Sequence, residues 1–178
     1  MVRLNYKHKR LEKTTIFACV EGETEEAFLK HLKFFYCRNN NVQVKVKIAK
    51  RIDKIIRCKK ASAYVYTFYL RDNDVQLSQK SKEKAKKNKI EIIEIQQCIE
   101  KLFLLILNHK FKCKSSNSNN VSDLYKKEFE KKYLDKKKKL DWGNYKKIFP
   151  KKLLEKKRKK IPNLNKIISI MISVKNKK

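Results

Sequence analysis

Long apolar runs are missing from this chain. The longest, residues 102–107, is far shorter than the ~18 residues that a helix needs to span a bilayer. The first 13 residues are polar and basic, and they lack the apolar stretch of a secretory signal peptide. We therefore expect a soluble, cytoplasmic protein that has no membrane partner.

Cysteine pairs with metal-binding or disulfide spacing are also missing. The cysteines are odd in number, form no C-x-x-C pair and have no histidine at ligand spacing: Cys19, Cys37, Cys58, Cys98 and Cys113. This pattern indicates neither a disulfide framework nor a zinc site. Reduced and mostly buried thiols are the expected state.

Acidic residues, glycine and proline are scarce. The chain has 18 acidic residues against 48 lysines and arginines, which leaves a formal net charge of +30. Such a charge attracts polyanions, for example nucleic acid or an anionic membrane surface. However, two glycines and two prolines in a chain rich in Lys, Asn and Ile are also typical of AT-rich coding. The excess of basic residues therefore has two explanations that composition does not separate.

Buried strands alternate with amphipathic helices in the first two thirds of the chain. Residues 14–20 and 63–70 are continuous apolar runs, typical of strands buried on both faces. Residues 42–48 alternate apolar and polar side chains, which indicates a half-exposed edge strand, and residues 90–95 form a further short strand. Helices are predicted after the first two strands, with Thr24 as the N-cap of the first, while the lysine-rich residues 76–89 form either a solvated helix or a mobile loop. This β-α order predicts an α/β fold with a mainly parallel sheet and helices on both faces.

The last third of the chain is predicted to be a basic, mostly helical segment. We assign residues 1–114 to the α/β domain and residues 121–178 to this segment, which packs on or extends the same domain. The Ser/Asn cluster at 115–120 is the predicted boundary loop. Lysines interleaved with aromatics can bind single-stranded nucleic acid. However, the lysine pairs wind around the helix axis, which favours a generally solvated basic surface. Three aromatics have the four-residue spacing of a helical core face: Tyr125, Phe129 and Tyr133.

Three acidic stretches stand out in this basic chain. Glu21 follows the first buried strand, Asp72 and Asp74 follow the second, and Glu100 lies early in an apolar helix predicted over 98–108. Ligands bind parallel sheets at the carboxyl ends of the strands, so Glu21 and the two aspartates would share one cleft if their strands are neighbours. Clustered carboxylates suit Mg²⁺, which also binds substrate phosphate oxygens.

Each of these carboxylates also has a structural interpretation. Glu21 can cap the following helix. Asp72 and Asp74 are common turn residues, and Glu100 can pair with a lysine at the solvated end of its helix. The neighbouring glutamates are expected to be partners of the helix dipole and not ligands: Glu23, Glu25 and Glu26.

Three blocks carry the acidic residues in a fixed order: CVEGETEEAFLKHL (19–32), FYLRDNDV (68–75) and CIEKLFLLILNHKF (98–111). Together they resemble the RloB-like branch of Toprim-domain proteins, which occur in prokaryotic defence and restriction loci. The resemblance implies a Toprim, Rossmann-like fold. It also implies that Glu21 is a general acid/base or metal ligand and that Asp72 and Asp74 bind the metal. Glu100 would be an additional catalytic-site residue, as a ligand or a positioning group.

The resemblance further implies a Mg²⁺-dependent (or Mn²⁺-dependent) nuclease acting in anti-phage defence. It would hydrolyse phosphodiester bonds of RNA, including transfer RNA, or of DNA, with an ABC-type ATPase as partner. The chain departs from the family where Ile95-Gln96-Gln97 replaces the usual Ser-Asn-Pro and where Leu102 replaces a frequent Trp. The alternative function is a non-catalytic nucleic-acid-binding or adaptor subunit of a defence complex. A third possibility is a Toprim shell whose chemistry has been lost.

Overall fold

The sheet is parallel throughout. A computed structural model describes residues 14–38, 42–60, 64–111, 118–134 and 142–173. Its strands are β1 (Thr14–Val20), β2 (Val42–Ile48), β3 (Tyr66–Asp72) and β4 (Glu91–Ile95). They form one sheet in the order β2-β1-β3-β4, and each neighbouring pair is parallel. The predicted α/β fold with a parallel sheet is confirmed.

Helices cover both faces of the sheet. They are α1 (Glu23–Tyr36), α2 (Ile52–Lys60), α3 (Gln79–Lys87), α4 (Ile99–Ile106), α5 (Ser118–Tyr133), α6 (Trp142–Ile148), α7 (Lys151–Arg158) and α8 (Pro162–Ser173). Side chains alternate between the two faces of each strand. In β1, Phe17 and Cys19 therefore pack with α2 and α3. Ile16, Ala18 and Val20 pack on the other face with α1, α4 and the later helices.

The first helix begins without the predicted cap. Thr24 lies inside α1, and the N-cap position is Gly22, which has no side chain to offer the helix. Glutamates in the first turn take over part of this role, because their charge is favourable at the positive end of the helix dipole. The prediction of Thr24 as N-cap is therefore wrong.

Two other element boundaries differ from the prediction. The strand expected over 63–70 begins at Tyr66 and continues to Asp72, so this aspartate is the last residue of β3. The lysine-rich stretch after it takes the helical one of its two predicted states and forms α3, and Ser78 caps this helix by accepting a hydrogen bond from the Ser81 N–H over 3.3 Å. The boundary loop is wrong for 118–120, which already belong to α5, while 115–117 lie outside the described residues.

Phe129 of the basic segment belongs to the core, and Tyr125 and Tyr133 pack against it, as their spacing predicts. Phe103 of α4 is fully buried, and its ring lies 4.9–5.0 Å from three rings, which belong to α1, to α5 and to the residue directly after α6: Phe28, Phe129 and Phe149.

The basic surface is not solvated at every lysine. Lys157 is buried, and its ammonium group binds the side-chain oxygen of Asn108. Within the described ranges, no helix is long and apolar enough to cross a membrane.

Candidate functional site

The ends of β1 and β3 meet, because these strands are neighbours in the sheet. Val20 is in register with Leu70, so Glu21 emerges beside the last residues of β3. Its Oε2 accepts a hydrogen bond from the backbone N–H of Asp72 over 3.2 Å. The two strands are therefore neighbours, which is the condition for a cleft shared by Glu21 and the two aspartates.

Glu21 is held by three groups of β3. The Tyr69 hydroxyl donates to Glu21 Oε1 over 2.8 Å, and Arg71 Nε lies 3.5 Å from the same oxygen. Arg71 also binds Glu94 over 3.0 Å, so one buried guanidinium links two carboxylates. These contacts fix the orientation of the Glu21 carboxylate, and its remaining lone pairs stay available to a further ligand. Sequence reasoning missed both Tyr69 and Arg71, although a basic residue directly between a buried run and two aspartates was a signal for Arg71.

Asp72 carries the least satisfied carboxylate of the cleft. Its Oδ1 is buried and has no hydrogen-bond partner. Burial and neighbouring carboxylates raise its pKa to about 8; in order of effect these neighbours are Glu25, Glu100, Glu21 and Asp74. Without a cation, Asp72 is therefore largely protonated at neutral pH. A bound divalent cation would favour the ionised form and displace this proton.

Glu25 was predicted to be only a dipole partner, but it also joins this carboxylate cluster. It lies in the first turn of α1 as predicted, and its side chain is buried. Burial raises the pKa of Glu25, and the charges of Glu100 and Glu21 add to the effect, while backbone hydrogen bonds oppose it. A Cβ atom on Gly22 would lie 3.0 Å from Glu25 Oε2. Because Gly22 has no side chain, there is room for the Glu25 carboxylate at this position.

Glu100 enters the cluster from the first turn of α4. Glu100 is 7% exposed. The structural interpretation, in which it pairs with a lysine at a solvated helix end, is therefore wrong about the exposure of this residue. Burial raises its pKa, and the charge of Lys126 on α5 opposes this shift. Burial raises the pKa of Tyr145 of α6, and the charges of Glu100 and Glu25 add to this shift, so Tyr145 lies close to both. Its hydroxyl donates a hydrogen bond to the Thr24 carbonyl over 3.1 Å. The basic segment therefore contributes to the cleft, which sequence reasoning missed.

Asp74 lies at the exposed edge of the cluster. Its Oδ1 accepts a hydrogen bond from the Val75 N–H over 2.8 Å, a contact typical of a turn residue. Its charge nevertheless contributes to the raised pKa of Asp72. Asp74 is therefore a turn residue, as the structural interpretation holds, and it also lies close to the cleft.

The carboxylates of this cleft are chemically suited to bind a divalent cation. Within the described part of the chain, no three Asp, Glu, His or Cys side chains converge into a complete metal site. Mg²⁺ does not need one, because it usually takes one or two carboxylates and completes its shell with water and substrate phosphates. The buried Asp72 Oδ1 has no donor, and four carboxylates lie close enough to raise the pKa of Asp72. Both observations fit a hard cation beside Asp72.

Comparisons with known proteins do not identify a relative. No protein-family model matches the chain, and no curated protein or solved structure matches it either. The resemblance to RloB-like Toprim proteins therefore remains a prediction from the three sequence blocks.

Proposed function

We propose that this chain is a Mg²⁺-dependent nuclease of the RloB-like Toprim type, acting on RNA or DNA in anti-phage defence. The observation that carries the proposal is the buried carboxylate cluster at the ends of two adjacent parallel strands. In it, Asp72 Oδ1 lacks a hydrogen-bond donor and the pKa of Asp72 is raised to about 8. Such a concentration of acidic groups is unfavourable for folding alone, and strongly shifted pKa values are concentrated at functional sites.

Asp72, Asp74 and Glu21 would hold Mg²⁺ or Mn²⁺. When bound, the cation polarises a phosphoryl oxygen and lowers the pKa of a bound water. Arg71 and Tyr69 keep the Glu21 carboxylate in one orientation. Glu25 and Glu100 are buried, and raised pKa values bring them closer to the neutral range in which a side chain exchanges protons efficiently.

Basic residues surround the acidic cluster and would contact the polyanion. Lys50 and Arg51 are exposed at the end of β2, where the Lys50 carbonyl accepts a hydrogen bond from the Tyr69 hydroxyl over 3.2 Å. Lys126 is exposed on α5 near Glu100. The aromatic side chains of the basic segment that the structure describes are packed in or against the core, so phosphate contacts with lysine and arginine are the expected binding mode.

Purified protein should cleave RNA or DNA in the presence of Mg²⁺ or Mn²⁺, and EDTA should stop cleavage. Asp72→Asn should abolish cleavage without unfolding the protein, as measured by circular dichroism. Asp53→Asn is the matched control, because Asp53 is an exposed aspartate of α2 that pairs with Lys84 outside the cluster. Equal cleavage by the Asp72→Asn variant and the wild type would refute the proposed site.

The second candidate function is a non-catalytic nucleic-acid-binding or adaptor subunit that docks on a partner ATPase. The net charge of +30 and the many exposed lysines favour this candidate independently of the cluster. Its signature is nucleic-acid binding that weakens steeply with salt, persists in EDTA and produces no cleavage. Binding and cleavage assays on the same oligonucleotides separate the two candidates.

A further inference from the structure

The loop between β4 and α4 is tied to the loop that carries the two aspartates. The Gln97 N–H donates to the side-chain Oδ1 of Asn73 over 2.7 Å. The Asn73 N–H in turn donates to the Ile95 carbonyl over 3.0 Å. Asn73 lies between Asp72 and Asp74, so these bonds hold Gln97 beside the proposed metal ligands.

The neighbouring residue confirms this proximity. Cys98 follows Gln97 directly, and the pKa of its thiol is raised to about 12, chiefly by burial. The charges of Glu100 and Asp72 contribute to the same shift. The Gln97 loop therefore lies within the electrostatic field of the carboxylate cluster.

Gln97 combines two unfavourable features. Its φ angle is +67°, in the left-handed region that glycine and asparagine adopt more readily than glutamine. Its side-chain Oε1 is buried and has no hydrogen-bond partner. A buried acceptor without a donor destabilises the fold, and strained backbone conformations are enriched at functional sites. Both features occur at one residue beside the cluster.

The missing partner of Oε1 must be a hydrogen-bond donor. The charges that raise the pKa of Asp72 belong to carboxylates, and once a cation has displaced the Asp72 proton these groups accept hydrogen bonds and do not donate them. Water bound to a divalent cation is a strong donor, and Mg²⁺ usually keeps several waters. A neutral amide oxygen can accept from such a water without adding another negative charge to the cluster.

We propose that Gln97 is a positioning residue of the metal site, whose Oε1 accepts a hydrogen bond from a water on the divalent cation at Asp72. This inference rests on the proposed function, since it requires the cation site. It assigns a role to a residue outside the acidic motifs. Groups that orient the ligands of a metal without contacting it typically change its affinity about 10-fold to 100-fold when they are mutated.

The test is Mn²⁺ binding to the full chain, measured by isothermal titration calorimetry without nucleic acid. Gln97→Met removes the acceptor at similar volume, and Gln97→Gly removes the side chain while accepting the left-handed backbone. Both should bind Mn²⁺ about 10-fold more weakly than the wild type. The metal-free melting temperature of Gln97→Gly should not fall, because a glycine relieves the strain. Gln96→Gly is the matched control in the same loop, since Gln96 is exposed, and its affinity should not change.

Two outcomes would overturn the inference, and they are distinguishable. If the wild type binds Mn²⁺ and both Gln97 variants bind it within about twofold, Gln97 has no role in the metal site, while the proposed function stands. If the wild type binds no Mn²⁺, or binds it no better than Asp72→Asn, the cation site itself is absent and both proposals fail.

Discussion

Replacing Asp72 with asparagine should stabilise the metal-free protein at alkaline pH. Burial and neighbouring carboxylates raise the pKa of Asp72 from 3.8 to about 8, so the folded state binds its proton more tightly than the unfolded state. The contribution of Asp72 to stability should therefore be highest at low pH and should fall as the pH rises from about 4 to about 8. Asparagine does not ionise, so the variant avoids this loss.

The size of the effect follows from the shift. Between pH 5 and pH 8 the wild type should lose at most about 4 kcal/mol relative to the variant, because each pKa unit corresponds to about 1.4 kcal/mol. Proton sharing within the cluster and local relaxation reduce this to roughly 2 kcal/mol. For a chain of this length, that difference corresponds to roughly 4–8 °C in melting temperature.

Thermal unfolding in EDTA, followed by circular dichroism at pH 5 and pH 9, measures the effect. The melting temperature of Asp72→Asn relative to the wild type should rise between the two pH values. Asp53→Asn is the matched control, because Asp53 is an exposed aspartate that pairs with Lys84 outside the cluster. Mg²⁺ added at pH 9 should stabilise the wild type and not the Asp72 variant. An advantage of Asp72→Asn that does not change with pH would refute the inferred destabilisation of the Asp72 carboxylate.

Two further substitutions test the surroundings of the cleft. Gly22→Ala places a Cβ atom 3.0 Å from Glu25 Oε2 and should shift this carboxylate by a few tenths of an ångström, weakening Mn²⁺ binding in calorimetry by up to about 10-fold; unchanged affinity would mean that the site does not require one fixed position of the Glu25 carboxylate. Tyr69→Phe deletes the 2.8 Å hydrogen bond to Glu21 and should lower the free energy of unfolding by about 1 kcal/mol in urea denaturation. A neutral result there would mean that the hydroxyl does not stabilise Glu21.

The strands that position the site were predictable because their sequence patterns are strong. The observed bounds of β1 and β2 match the predicted ranges 14–20 and 42–48. A continuous apolar run and a clean alternation each have few competing interpretations. Once two buried strands end in acidic residues, the rule for parallel sheets places Glu21 and Asp72 at the same edge. The sequence did not establish that these strands are neighbours, which depends on tertiary packing.

The remaining groups of the site depend on contacts between distant parts of the chain. A glutamate in a first helical turn is favourable without any further contact, so no sequence pattern separates the buried Glu25 from an exposed dipole partner. Tyr145 contacts the Thr24 carbonyl, although the two residues are 121 positions apart along the chain. Arg71 combines contacts with Glu21 and Glu94, and only the register of the sheet brings those two together.

The distribution of charge gives the cluster its significance. A chain with 48 lysines and arginines has ample means of neutralising a few buried carboxylates. Arg71 offsets the charges of Glu21 and Glu94, whereas the buried Lys157 binds Asn108. Burial and four neighbouring carboxylates still raise the pKa of Asp72. On the proposed function, the basic exterior attracts phosphate groups while the cluster repels them until a divalent cation is bound. The cation therefore links two regions of opposite charge that would otherwise have opposing effects on the same polyanion.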